Sequence, residues 1–147
     1  MSELKNRSAY YDYFIEDKFD AGMVLVGTEV KSIREGKVNF VDSFCVFLQG
    51  ELWVKNMHIS EYRLGTTNNH MAVHDRKLLM TKRELRKLEN KTKEKGYTIV
   101  PLRIFFSEKG YAKLEIGLGK GKKNYDKREN IKQRDTDKEI KRYLNKR

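Results

Sequence analysis

Residues 97–118 read YTIVPLRIFFSEKGYAKLEIGL. Two runs rich in β-branched and aromatic residues, Tyr97–Phe106 and Tyr111–Leu118, flank the turn Ser107-Glu108-Lys109-Gly110, which is the signature of a β-hairpin. Pro101 lies inside the first run and cannot donate to a ladder, so it predicts an edge strand or a bulge there. Upstream, Phe44–Leu48, Gln49-Gly50-Glu51 and Leu52–Lys55 repeat the hairpin pattern. Tyr13–Phe19 followed by Ala21–Val26 reads as one strand broken near Gly22, and His58–Tyr62 as a short extended piece.

Two helices interrupt the strands. Thr28–Gly36 is short, with Thr28 as its cap, Val30 and Ile33 inward and Gly36 as its stop. Thr81–Gly96 opens on a Thr81/Glu84 capping box and carries a narrow Leu85/Leu88 stripe, as a surface helix does. Residues 63–75, RLGTTNNHMAVHD, form a polar loop. Several short strands, two hairpins and interposed helices predict a mainly β fold with flanking helices. An OB-like antiparallel β-barrel is the leading candidate.

The chain has 147 residues and a formal net charge of +11. Residues 117–147 hold 12 basic and 5 acidic side chains, net +7, leaving +4 for residues 1–116. This segment has few large apolar residues to offset a backbone ordering cost of about 1–2 kcal/mol per residue. We therefore expect three parts: a flexible N-terminus (1–8), a barrel domain (9–118) and a basic tail (119–147) that is disordered when free. Lone Cys45 excludes an internal disulfide and fits a reducing, cytoplasmic setting. No apolar run is long enough to span a membrane, and none at the N-terminus resembles a signal core.

Catalytic chemistry finds little support. Cys45 sits in an apolar strand, where a thiol acts as a small hydrophobe. His70 and His74 have a helical metal spacing, but Met71 stands where a zincin needs Glu, and the segment is a loop. The glycines of GLGKGKK (117–123) are followed by no apolar helix, so they make no phosphate-binding loop. We expect no enzyme, no metal and no cofactor.

A polyanion-binding surface is better supported. Lys31 and Arg34 share a helix face; Arg76-Lys77, Lys82-Arg83 and Arg86-Lys87 extend a basic strip; Lys120, Lys122 and Lys123 lead into Asp126-Lys127-Arg128. Tyr10, Tyr11, Tyr62 and Tyr125 are either stacking platforms for unpaired bases or barrel-rim packing.

At this level the chain resembles the SmpB family, the SsrA-binding proteins that partner transfer-messenger RNA in bacterial ribosome rescue. The resemblance rests on YFIE (13–16), FDAG (19–22), GTEVKSIR (27–34) with Gly36, DSF (42–44), GELW (50–53), His58-Ile59, RKLL (76–79), GYTIVPL (96–102) and GKGKK (119–123) with DKR (126–128). It departs at 69–77, NHMAVHDRK, where Ala72 replaces a usual proline and His74 an arginine.

The resemblance implies an OB-like barrel, binding of the tRNA-like part of transfer-messenger RNA, and delivery with elongation factor Tu to stalled ribosomes. It implies no membrane partner and no catalysis. The implied RNA contacts are Asn6, Arg7, Glu29, Lys31, Arg34, His70, Arg76, Lys77, Lys120, Lys122 and Lys123. The implied ribosome-binding tail, lying in the empty message channel, uses Asp126, Lys127, Arg128, Lys132, Arg134, Ile140, Lys141, Arg142 and Tyr143. Within residues 135–147, Ile140, Tyr143 and Leu144 share one helical face, so the tail is expected to be helical when bound. Glu29 has two readings: an acceptor for base edges or ribose hydroxyls beside Lys31 and Arg34, or a carboxylate favoured by a helix N-terminus. A general single-strand-binding module is the competing function, and a basic membrane-surface protein a third.

Overall fold

The computed structural model describes residues 3–65 and 69–122. Its elements are β1 (Leu4–Lys5), α1 (Arg7–Asp12), β2 (Tyr13–Met23), α2 (Gly27–Arg34), β3 (Val38–Asn39), β4 (Phe44–Leu48), β5 (Glu51–Lys55), β6 (His58–Ile59), β7 (Arg76–Leu79), α3 (Lys82–Thr92), β8 (Tyr97–Phe106) and β9 (Ala112–Gly121). The protein is a mainly β-sheet structure with a few helices. Seven strands pair in the order β1-β8-β4-β5-β7-β2-β9, and β9 pairs with β8 as well, so six of them each have a neighbour on both sides. All pairings are antiparallel. A separate β3–β6 pair lies outside this sheet.

Both expected hairpins form. In β4–β5 the register runs from Phe44↔Lys55 to Leu48↔Glu51. Gln49 (φ 52°) and Gly50 (φ 81°) make the turn, both with the positive φ that a two-residue turn needs to match strand twist. In β8–β9 the register slips between Pro101 and Arg103, so Pro101 marks a bulge and not an edge. Beyond the bulge β8 is paired by β1, through Leu4↔Ile104 and Lys5↔Arg103. Asn6 fastens the bulge: its backbone N–H donates to Leu102 O (2.8 Å) and its Nδ2 to Pro101 O (2.8 Å). Leu4, Lys5 and Asn6 are thus bonded to β8, and Ser8 falls inside α1.

Three expectations are corrected. The irregularity in β2 lies between Ile15 and Asp17, not at Gly22. Thr28 does not cap α2; it turns to His70 instead. The folded part runs past Leu118, because β9 continues to Gly121 along Tyr13–Ile15 of β2 and Tyr97–Thr98 of β8. Glycine permits this approach: a Cβ on Gly117 would meet Leu102 Cδ1 at 2.9 Å, and one on Gly119 would meet Phe14 O at 3.0 Å. Gly117 and Gly119 are thus strand residues under close contact, and β9 reaches Gly121.

The main core gathers Ala21, Ile33, Cys45, Leu52, Val54, Met57, Ile59, Leu78, Leu88, Ile99, Ile104, Leu114, Ile116 and Leu118. Ile33 seals it from α2 and Leu88 from α3, whose Thr81/Glu84 capping box is present as expected. Burial pushes the Cys45 thiol pKa well above its ordinary value, so the group is inert packing. No helix among the described residues is long and apolar enough to cross a membrane.

Candidate nucleic-acid interface

The site begins at the N-terminus of α2. Glu29, three residues into the helix, turns its side chain back so that Oε1 accepts the Val26 N–H at 3.0 Å. This satisfies one of the donors that every helix start leaves open. Its other oxygen, Oε2, accepts from Arg76 Nε (2.6 Å) and faces His74 Nε2 (2.7 Å). Glu29 and Arg76 are each 1% exposed.

The Arg76 guanidinium is fully used. Besides Glu29, Nη1 donates to Met57 O (2.7 Å) and His74 O (3.4 Å), and Nη2 to Ala72 O (3.0 Å) and Met71 O (3.5 Å). A planar five-donor fork is the one side chain that can hold a carboxylate and several carbonyls at once. Two further clamps fix the same loop. His70 Nε2 donates to Ile59 O (2.9 Å), which as a carbonyl can only accept, while Nδ1 meets the Thr28 hydroxyl (2.8 Å). Asn69 bridges to Tyr62 through Oδ1 (3.1 Å) and Nδ2 (2.8 Å).

Burial raises the Glu29 pKa, but the Val26 N–H, Arg76 and His74 outweigh it and hold the carboxyl below its ordinary value. A carboxylate lowered by folding adds stability above its unfolded value, near 4.3, and loses it as pH falls through the folded value. Below about pH 5, therefore, the unfolding free energy should fall more steeply in the native protein than in Glu29→Gln. Urea titrations across that range will measure it, and parallel acid limbs would contradict the assignment.

The clamped frame displays cations. Lys31 and Arg34 are exposed on α2. Lys31 Nζ lies 5.5 Å from the Tyr62 ring centroid, and the Arg34 guanidinium 4.7 Å from that of Phe106. Lys31 and Arg34 share the outer face of α2 as their spacing suggested, and Glu29, His70 and Arg76 lie in the frame behind them, with a correction of roles. Glu29, His70 and Arg76 are buried and hold the frame, and of the two readings of Glu29 the helix-terminus one matches the geometry. Asn6 is likewise committed to β8.

Lys77 faces outward and pairs with Glu51 at 2.8 Å. Arg7 is exposed at the start of α1. Lys120 and Lys122 sit at the end of β8–β9 opposite to Arg34. Tyr97 pairs with Lys120 and Phe106 with Ala112, and ten strand residues separate those ends by about 30 Å along β8. Lys123, Tyr125 and the tail positions Asp126, Lys127, Arg128, Lys132, Arg134, Ile140, Lys141, Arg142 and Tyr143 lie outside the described residues.

Sequence reasoning missed Thr28, Asn69 and His74 as members of the frame. The polar loop gives no sign of the roles of Asn69 and His74, and Thr28 reads as a helix cap; the Thr28–His70 and His74–Glu29 partners are 42 and 45 residues apart. Among the described residues no group of three or more His, Cys, Asp or Glu is placed to hold a metal.

A loop locked to a short helix through a buried ion network, with lysine, arginine and aromatic rings displayed on that frame, has the chemistry of a phosphate-contacting surface. The chain belongs to the SmpB family, whose model, described as SmpB protein, matches residues 3–146. It is 58% identical over 137 residues to the SsrA-binding protein of Phocaeicola vulgatus, covering 93% of this chain and 91% of that one. The SsrA-binding protein of Geobacter sulfurreducens is 53% identical over 135 residues, covering 92% and 88%. A solved structure described as "tmRNA-SmpB: a journey to the center of the bacterial ribosome" contains a chain that matches with a TM-score of 0.70 and 49% identity, covering 82% of this chain and 84% of that one.

Proposed function

We propose that this chain is an SsrA-binding protein of trans-translation. It binds the tRNA-like domain of transfer-messenger RNA and brings it to stalled ribosomes. The observation that carries this reading is identity above 50% to SsrA-binding proteins over nine-tenths of the chain. The exposed Lys31 and Arg34 on a rigid frame supply phosphate contacts of the kind that position a folded RNA.

Finer parts of the reading have their own support. The strand order with its additional β8–β9 pairing favours an OB-like barrel. A protein that works with the ribosome acts in the cytoplasm, and elongation factor Tu is the delivery partner that the family resemblance implies. The protein acts by binding, without catalysing a reaction. Beyond residue 122 the chain carries 10 basic and 5 acidic side chains. That charge suits an rRNA-lined message channel, where the helical face of Ile140 and Tyr143 would order against its target.

Competition decides between this reading and a general single-strand binder. A tRNA-like fragment of transfer-messenger RNA should displace a labelled copy of itself at a concentration at least about tenfold lower than an unstructured RNA of equal length does, a gap of about 1.4 kcal/mol. Equal displacement would favour the general binder.

A further inference from the structure

His74 has both ring nitrogens committed to oxygens that cannot donate. Nε2 lies 2.7 Å from Glu29 Oε2, and Nδ1 lies 3.0 Å from the carbonyl oxygen of Asp75. A backbone carbonyl carries no proton. Oε2 carries none either, since it already accepts the Arg76 Nε–H at 2.6 Å. A neutral imidazole has one N–H and one lone pair, so it would turn that lone pair on one of these two oxygens. Only the imidazolium, with an N–H on each nitrogen, satisfies both contacts. His70 is placed differently. It meets one carbonyl, Ile59 O, and one hydroxyl, that of Thr28, which donates as readily as it accepts, so the neutral ring suits it.

Charged groups reach His74 from each element around it. Glu29 comes from α2, and Arg76 from β7, where Nη1 also donates to His74 O at 3.4 Å. Lys55 of β5 is taken up by the Asp75 carboxylate at 3.2 Å, and His58 of β6 stands across from Val73. Two cations on one carboxylate oxygen leave this cluster with one net positive charge. The Glu29 side chain is 1% exposed and the Arg76 side chain 0%, whereas that of His74 is 38% exposed. His74 is therefore the member that exchanges a proton with solvent.

We propose that His74 is a cationic positioning residue: as the imidazolium it pins residues 69–76 to the start of α2, and RNA binding at the α2 frame weakens when that proton leaves. Loss of either N–H leaves a lone pair facing an oxygen, so the ring turns away and one clamp on the loop is gone. The change spreads along the loop, because the neighbouring Arg76 holds the carbonyls of Met71, Ala72 and His74. RNA and proton then favour each other by the same factor, as two linked ligands must. The inference rests on the reading of this chain as an SsrA-binding protein and adds the protonation state on which its site depends.

The test uses the full chain and a tRNA-like fragment at matched ionic strength between pH 6.0 and 8.5, the range in which imidazoles discharge and above that in which carboxylates protonate. Affinity should fall by about fivefold or more as pH rises, the low end of couplings between linked sites. His74→Arg keeps its charge throughout and should give a flat profile, while His74→Gln should be flat and no tighter than the native protein at pH 8.5. His58→Gln removes another ring and should keep the native slope. Long-range ¹H–¹⁵N spectra of the free native protein read the ring without any variant or RNA. His74 should show two protonated nitrogens at a pH where His70 shows one protonated and one bare. A bare nitrogen on His74 at pH 6.0 would overturn the proposal, as would the native slope persisting in His74→Arg or vanishing in His58→Gln. Fragment binding no tighter than that of an unstructured RNA at every pH would instead remove the functional reading, and the spectra of the free protein would still decide whether His74 is the cation.

Discussion

Arg76→Met will lower the unfolding free energy by about 3–5 kcal/mol, the cost of leaving one member of a buried ion pair without its partner. Glu29 Oε2 would face apolar surroundings with His74 alone, and the carbonyls of Met57 and Ala72 would lose their donor. For a domain of this size that shift lowers Tm by roughly 10 °C or more. Arg76→Lys should fall between the two, because an ammonium cannot reach the carboxylate and the carbonyls together.

The double variant Glu29→Gln/Arg76→Met tests the pairing itself. Its loss should be smaller than the sum of the two single losses by more than about 1 kcal/mol, since the charge left unpaired by either single change is gone. Additive losses in urea denaturation would mean that the two side chains stabilise the fold independently. The same measurements separate two accounts of why Glu29 matters for RNA. Should Glu29 act through the frame, Glu29→Gln will weaken RNA binding in proportion to the loosening of residues 69–76. A direct contact predicts weaker binding with stability untouched.

Removing residues 123–147 should abolish tagging of stalled chains while leaving the fold and the binding of a tRNA-like fragment intact, with affinity changed by less than about tenfold. The cut takes away a net charge of +5 out of +11 and leaves every described strand whole. A cut after Leu118 should behave differently. It deletes the pairings of Gly119, Lys120 and Gly121 with β2 and β8, so the shorter protein should melt earlier and lose RNA binding as well. Thermal melts and fragment binding on the two truncations will distinguish them. Normal tagging by the 1–122 protein would show that ribosome rescue does not depend on the tail.

Local pattern made much of the fold legible. Phe44–Lys55 is a hairpin because two strand-forming runs flank a turn whose Gly50 accepts a positive φ. Pro101 had to sit at an irregularity because it has no N–H to give, and Thr81 with Glu84 had to start a helix because each satisfies the other's backbone donor. These are properties of neighbours within a few residues, so a linear reading captures them. The excess of positive charge beyond residue 116 is similarly a matter of composition.

Tertiary structure decided what depends on distant partners. Glu29 and Arg76 are 47 residues apart, and nothing local distinguishes a buried, paired glutamate from one exposed among lysines. Burial settles it, because a desolvated carboxylate persists only where opposite charge and donors surround it. His70 and Thr28, 42 residues apart, follow the same logic. The end of β9 was equally hidden. The run of glycines and lysines at 117–123 reads as a loose tail by composition, yet residues 117–121 are strand, because Gly117 and Gly119 let β2 approach within contact distance. Phe14, Lys120 and Tyr97 likewise meet only through register: three residues spread over more than a hundred positions become neighbours when three strands pair, and no spacing along the chain encodes that.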